Sequence, residues 1–192
     1  MLNRIPTMLV FACAVFAWSA SGATALAGAP ALALNVERID GADGGKVYRI
    51  TSSGTVAAKP AAVWRILTDY DHLADYLPDM KSARVVARDG DKVTIEQHGA
   101  ANFLFFSRDI RLTVQAHEQP PNKIDVSLVG GDMKVYRTSW ELSPSDAGGT
   151  TVRYDATIEP KFYVPGIVGT SLVRKDIARM MTAVLLRLDR DD

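Results

Sequence analysis

The sequence predicts an α+β domain: an antiparallel sheet of seven strands wrapped around one long C-terminal helix, with two short helices after the first strand. Three observations carry this. Between residues 83 and 159, apolar residues recur at every second position in short runs separated by Gly, Pro, Asn and Asp turns. From Pro165 to Leu188 the spacing changes to a helical period. No linker, low-complexity tract or internal repeat divides the chain, which is one domain long at 192 residues.

The first 27 residues differ from the rest. Arg4 is the only charged residue before Glu37, Met8–Trp18 is an unbroken apolar run, and Ser19–Ala27 is small and rich in A-x-A sites. This is the pattern of a secretory signal peptide cleaved near Ala25 or Ala27. The run is shorter than the roughly 20 residues needed to span a bilayer. Its removal takes away the single cysteine, Cys13, and one positive charge. The remaining chain has no thiol to oxidise, which suits an exported, periplasmic protein. Lys+Arg and Asp+Glu both number 22, so the leaderless chain carries a charge near −1, against a nucleic-acid partner.

Residues 28–45, rich in Gly, Ala and Asp, are expected to be a loosely held arm, and residues 46–192 the folded domain. Lys46–Ala57 alternates as the first strand. Pro60 opens a helix with Val63, Ile66 and Leu67 on one face. Asp71 is placed to cap a second short helix that Pro78 stops. Six strand-like runs follow, at 83–88, 92–98, 104–116, 123–129, 134–142 and 150–159. Their turns are Asp89-Gly90-Asp91, Gly99–Asn102, Pro120–Asn122, Gly130–Asp132 and Pro144–Gly149. Short loops between neighbouring strands make an antiparallel meander. The final segment repeats Val168, Leu172, Val173, Ile177, Met180, Met181, Val184, Leu185 and Leu188 on a broad apolar face. Gly166 and Gly169 weaken its first turns, so the firm helix is expected after Ser171. A twisted sheet cannot close flat on a single helix, and a cavity is expected between them.

Strand parity nominates the residues that face this cavity. Ile110 and Leu112 lie on the apolar parity of their strand, together with Phe106. Arg108 breaks that parity, and an inward guanidinium needs a partner, a bound anion or an exit to solvent. Gln97 shares a face with Val93 and Ile95, and Thr138 with Tyr136 and Trp140. Gln97 and Thr138 are candidates for directional hydrogen bonds inside an apolar site. Leu172, Ile177 and Met181 are the candidates from the helix. Asp69, Asp71, Asp75 and Asp79 are spaced as caps and solvent-facing carboxylates. His72, His98 and His117 lack metal-ligand spacing, and no catalytic spacing or phosphate loop is visible.

Three stretches carry a family resemblance: Val63–Tyr70 running on to Tyr76-Leu77-Pro78-Asp79-Met80; Gly130–Tyr136 with Trp140-Glu141-Leu142; and the Pro165–Leu188 helix containing Arg174-Lys175-Asp176. Over about Ser52 to Leu188 the chain resembles the START-like, polyketide cyclase–dehydrase and coenzyme Q-binding superfamily of helix-grip proteins. Its coenzyme Q-binding branch is nearest by the Tyr-Leu-Pro stretch, although Asp79-Met80 stand where that branch often carries Trp-Cys. The resemblance implies a cavity for a lipid, a quinone or another isoprenoid, and no tightly held cofactor. The expectation is therefore a monomeric, exported carrier of a small hydrophobic ligand, with transient membrane contact through Phe162–Pro165. Phe103, Phe105 and Phe162 are expected at its rim. The alternative is a cyclase or dehydratase in which Arg108 and Tyr136 orient a substrate carbonyl. A third possibility is an envelope protein that binds another protein.

Overall fold

A computed structural model describes residues 31–41, 44–102, 107–146, 148–164 and 169–190. The expected leader and Phe103, Phe105 and Phe106 lie outside the described residues. The elements are β1 (Leu32–Asp40), β2 (Lys46–Val56), α1 (Pro60–Leu67), a 3-10 turn (Tyr70–Asp75), β3 (Met80–Asp89), β4 (Lys92–Asn102), β5 (Ser107–Gln119), β6 (Lys123–Gly131), β7 (Met133–Pro144), β8 (Thr150–Pro160) and α2 (Gly169–Leu188). The strands form one sheet in the order β1-β2-β8-β7-β6-β5-β4-β3, every neighbouring pair antiparallel.

The sheet has eight strands, one more than expected. The segment read as a loose arm contains β1, which pairs with β2 along its whole length, Leu32 opposite Gly54 and Asp40 opposite Lys46. Leu32, Leu34 and Val36 alternate toward the core, and Val36 is buried. Arg174 of α2 donates to the Leu34 carbonyl at 3.1 Å, fixing the strand to the helix.

β2 buries Tyr48, Ile50, Ser52, Gly54 and Val56 in strict alternation. Ser52 is tolerated there because its hydroxyl donates to the Ala33 carbonyl at 3.0 Å. Gly54 lies at a close approach of α2: a Cβ would strike Cδ1 of Leu185 and lie 3.1 Å from its Cδ2. α1 starts on Pro60 and buries Val63, Ile66 and Leu67. The second short helix is a 3-10 turn, and Asp71 does not cap it. Its carboxylate accepts the Val85 amide of β3 at 2.8 Å, while Asp69 pairs with His72 at 2.7 Å.

The β4–β5 hairpin is longer than the turn signals imply, with pairing continuing to Asn102 opposite Ser107. Gly130 and Gly131, expected as a turn, complete β6 after a bulge at its Val129, the residue left over where Thr113 and Val114 of β5 pair with Gly130 and Leu128. Gly131 has φ 121°, and a Cβ there would run into the Arg111 carbonyl oxygen and lie 2.8 Å from Leu112 Cα. Asp132 then joins two strands at the hairpin tip. It exchanges hydrogen bonds with Arg111 of β5 and accepts the Lys161 amide just after β8.

α2 runs 20 residues, about 30 Å, beginning three residues before the expected firm start. Val184, Leu185 and Leu188 pack with α1, the 3-10 turn and β3–β6 into one core cluster. Met181 packs with Tyr48, Ile50 and Tyr154 of β2 and β8 into another. α2 thus seals against the sheet at its C-terminal end. Its N-terminal half stands off from β4, β5 and β7.

Candidate functional site

Two connected chambers fill that space. The outer one, about 270 Å³, lies between the N-terminal half of α2, the sheet and the Leu77–Met80 loop. The inner one, about 100 Å³, lies deeper, under the 3-10 turn and Met180. They meet at Gln97, Tyr136, Leu77, Met80 and Met180, which line both.

Alternation along the strands positions the walls. On β5, Ile110 and Leu112 turn inward to the outer chamber, and Gln97 of β4 lies opposite Leu112. On β7, Tyr136 faces both chambers, and Thr138 and Trp140 line the inner one. Leu172 and Ile177 supply the helical wall of the outer chamber. These eight expected residues are brought together.

Three others are not. Met181 is fully buried in the core with Tyr48 and Ile50, while its neighbour Met180 lines the chambers. Successive helical positions differ by about 100°, and the broad apolar face left the choice between them open. Arg108 takes the exit to solvent. It is exposed near the end of its hairpin, with its guanidinium carbon 4.7 Å from the ring centroid of Phe162, and does not line the chamber. Phe106 lies outside the described residues.

The entrance is expected at three loops, Leu77–Met80, Gly99–Phe103 and Phe162–Gly169, and the described parts of all three take part. Leu77–Met80, Gly99–Ala101, Phe162 and Val164 border the outer chamber. Residues 165–168 of the third loop lie outside the described residues.

The polar groups fall into two sets. At the mouth, Arg179 of α2 donates to Asp176 at 2.8 Å and to Asp79 at 2.5 Å. Asp79 and Asp176 both line the outer chamber. Burial pushes the Asp176 carboxyl above its ordinary value, opposed by the hydrogen bond and charge of Arg179. The spacing of the Asp residues predicts a solvent-facing carboxylate at Asp79, and the structure corrects this: it stands in a left-handed conformation, φ 64°, turned toward Arg179. No sequence signal links two groups a hundred residues apart.

Deeper, Gln97, Tyr136, Thr138 and Tyr154 line the inner chamber. Among the described residues none of these four side chains makes a hydrogen bond, although Thr138 and Tyr154 are only 6% and 4% exposed. Tyr76 lines the same chamber and keeps a buried hydroxyl without a hydrogen-bond partner. Burial raises the pKa of Tyr76, Tyr136 and Tyr154, so these phenols stay neutral. Trp140 packs on Tyr154 with ring centroids 4.5 Å apart.

Among the described residues no group of three His, Cys, Asp or Glu side chains is placed to hold a metal ion. Among them, too, no helix is long and apolar enough to cross a membrane.

A family model described as polyketide cyclase / dehydrase and lipid transport matches residues 56–185, more than half of the chain. No curated protein matches the sequence. Solved structures share the fold at low identity. The Zhui aromatase/cyclase from Streptomyces sp. R1128 is 15% identical with a TM-score of 0.64, covering 75% of this chain and 94% of that one. A START superfamily protein from Mycobacterium smegmatis is 17% identical with a TM-score of 0.64, covering 74% and 97%. A STAR-related lipid transfer protein from Xanthomonas axonopodis is 18% identical with a TM-score of 0.59, covering 80% and 98%.

Proposed function

The chain belongs to the polyketide cyclase/dehydrase and lipid transport family, and on that premise we propose that it is an exported, periplasmic carrier for a small hydrophobic ligand such as a lipid, a quinone or another isoprenoid. The observation that carries this reading is the outer chamber of about 270 Å³, walled by Leu, Ile, Val, Met and Phe side chains between sheet and helix. An apolar molecule in an aqueous compartment gains about 25 cal/mol for each Å² of apolar area removed from water. A few hundred Å² of ligand would contribute on the order of 10 kcal/mol before ordering costs. The protein acts as a monomer, and Tyr163, 82% exposed beside Phe162, touches the membrane during exchange.

The alternative, a cyclase or dehydratase, draws on the family description and on the aromatase/cyclase among its structural neighbours. It asks Arg108 and Tyr136 to converge on a substrate carbonyl. Arg108 stands outside on Phe162 and does not converge with Tyr136, so the geometry favours the carrier.

Mass spectrometry of lipid extracts from natively purified protein tests the proposal. A co-purifying hydrophobic small molecule is the expected result. A protein that is ligand-free and takes up no quinone, fatty acid, phospholipid or sterol would overturn it. Arg108→Ala separates the two readings: a carrier keeps its affinity, whereas an enzyme loses turnover.

A further inference from the structure

The outer and inner chambers differ in chemistry, and the difference selects a ligand. Among the described residues, the outer chamber is apolar except at its mouth and where Gln97 and Tyr136 open into the inner chamber. There the charged lining groups are the carboxylates of Asp79 and Asp176, with His98 the other titratable neighbour. Arg179 pairs with both carboxylates. The His98 imidazole lies 3.5 Å from Asp109, whose carboxylate is paired with Lys81. The inner chamber has no charged lining residue. It offers instead the amide of Gln97, the hydroxyl of Thr138 and the phenols of Tyr70, Tyr76, Tyr136 and Tyr154, which make no hydrogen bond among the described residues.

Buried polar groups without partners are costly, and a ligand that completes them recovers that cost. The inner chamber therefore rewards an uncharged group able both to donate and to accept. A carboxylate or phosphate gains little there, because it loses hydration without meeting a cation. A plain hydrocarbon leaves these groups unpaired.

We propose that the cavity takes a neutral amphiphile head first, an oxygen-bearing ring or alcohol seated in the inner chamber on Gln97, Tyr136 and Thr138 with its apolar body in the outer chamber, and that it discriminates against anionic amphiphiles. This rests on the carrier reading and deepens it. It separates neutral ring or alcohol ligands from fatty acids and phospholipids, which the chamber walls alone would not.

Three probes of one shape test it: 4-octylphenol, octylbenzene, and 4-octylbenzoate at a pH where it is ionised. Affinities are read by tryptophan fluorescence, since Trp140 lines the inner chamber. The phenol is expected to bind at least tenfold tighter than either of the others. In the double variant Gln97→Leu/Thr138→Val it falls to the level of octylbenzene, whose own affinity stays unchanged. If that variant does not fold, Tyr136→Phe keeps the ring and reports the same loss in reduced form. Equal or tighter binding of 4-octylbenzoate, or a preference that survives the substitutions, overturns the inference while leaving the carrier reading intact. Failure of all three probes to bind removes the carrier reading itself, and the inference with it.

Discussion

Arg179 and Asp79 are joined across the mouth of the cavity, Nη2 to Oδ2 at 2.5 Å, although a hundred residues separate them in the chain. The contact ties the Leu77–Met80 loop to α2. Asp79 holds a left-handed backbone that costs an L-residue roughly 1–2 kcal/mol, less for Asp than for most. Replacing Arg179 with Ala releases the loop. Amide exchange at Leu77, Asp79 and Met80 is expected to speed up, with faster ligand uptake and release. Stability should change by no more than about 1 kcal/mol, as for other partly exposed ion pairs. Unchanged exchange at these amides would show that the ion pair does not hold the loop.

Met180 and Met181 separate wall from core. Met181 is fully buried against Tyr48 and Ile50, so Met181→Ala should cost about 2–5 kcal/mol in urea unfolding. Met180 borders space that already exists, so Met180→Ala should cost less while changing affinity for the bound ligand. Equal losses of stability would contradict the placement of Met180 on the chamber wall.

Gly131 sits where only a residue without a side chain fits, at φ 121° with the Arg111 carbonyl against it. Gly131→Ala is expected to destabilise by about 2–3 kcal/mol through backbone strain. It should also disturb the outer chamber, because Met133, two residues on, lines it. Gly130 has open space around its Cβ position, and Gly130→Ala is the matched control. Equal stability of the two variants would remove the strain argument.

Asp176 supplies a pH dependence whose sign is fixed. Burial raises its carboxyl above the ordinary value, with Arg179 and Lys175 pulling it down and Asp79 pushing it up. Folding therefore favours the protonated form. The stability this contributes is complete below the ordinary carboxylate pKa and is lost as pH rises through the raised one. Asp176→Asn should melt above the parent protein at pH 7, and the difference should shrink as the pH approaches 4. A lower melting temperature for the variant at pH 7 would mean that the ion pair with Arg179 outweighs the cost of burial.

Much of this architecture was written in local patterns. Turn chemistry and period-two alternation placed seven strands within a few residues. The same parity put Gln97, Ile110, Leu112, Tyr136, Thr138 and Trp140 on the inner face, because a strand permits only two sides. β1 escaped notice for a compositional reason. Its Leu32, Leu34 and Val36 alternate, but they follow small residues and precede an Asp-Gly-rich turn, so the segment resembles a solvated arm. Pairing with β2 and the bond from Arg174 decide its state, and neither is local. The mouth was illegible for the same reason. Nothing near Asp79 or Asp176 in sequence distinguishes them from surface carboxylates, and only the crossing of α2 over the loop brings them to one guanidinium. Arg108 was recognised as anomalous, but parity alone did not say that its side chain would leave the sheet for the ring of Phe162.

β1 also shields its neighbour from other molecules. It occupies the outer position beside β2, a strand that alternates core residues along its whole length and pairs with β8 on its far side. Were β1 to peel away, β2 would present a long row of unpaired amides and carbonyls beside apolar side chains, a template for sheet-to-sheet aggregation. Glu37, Arg38 and Asp40 put charge on the strand that takes that edge instead. The grip of Arg174 on Leu34 thereby links the helix that covers the cavity to the colloidal safety of the protein.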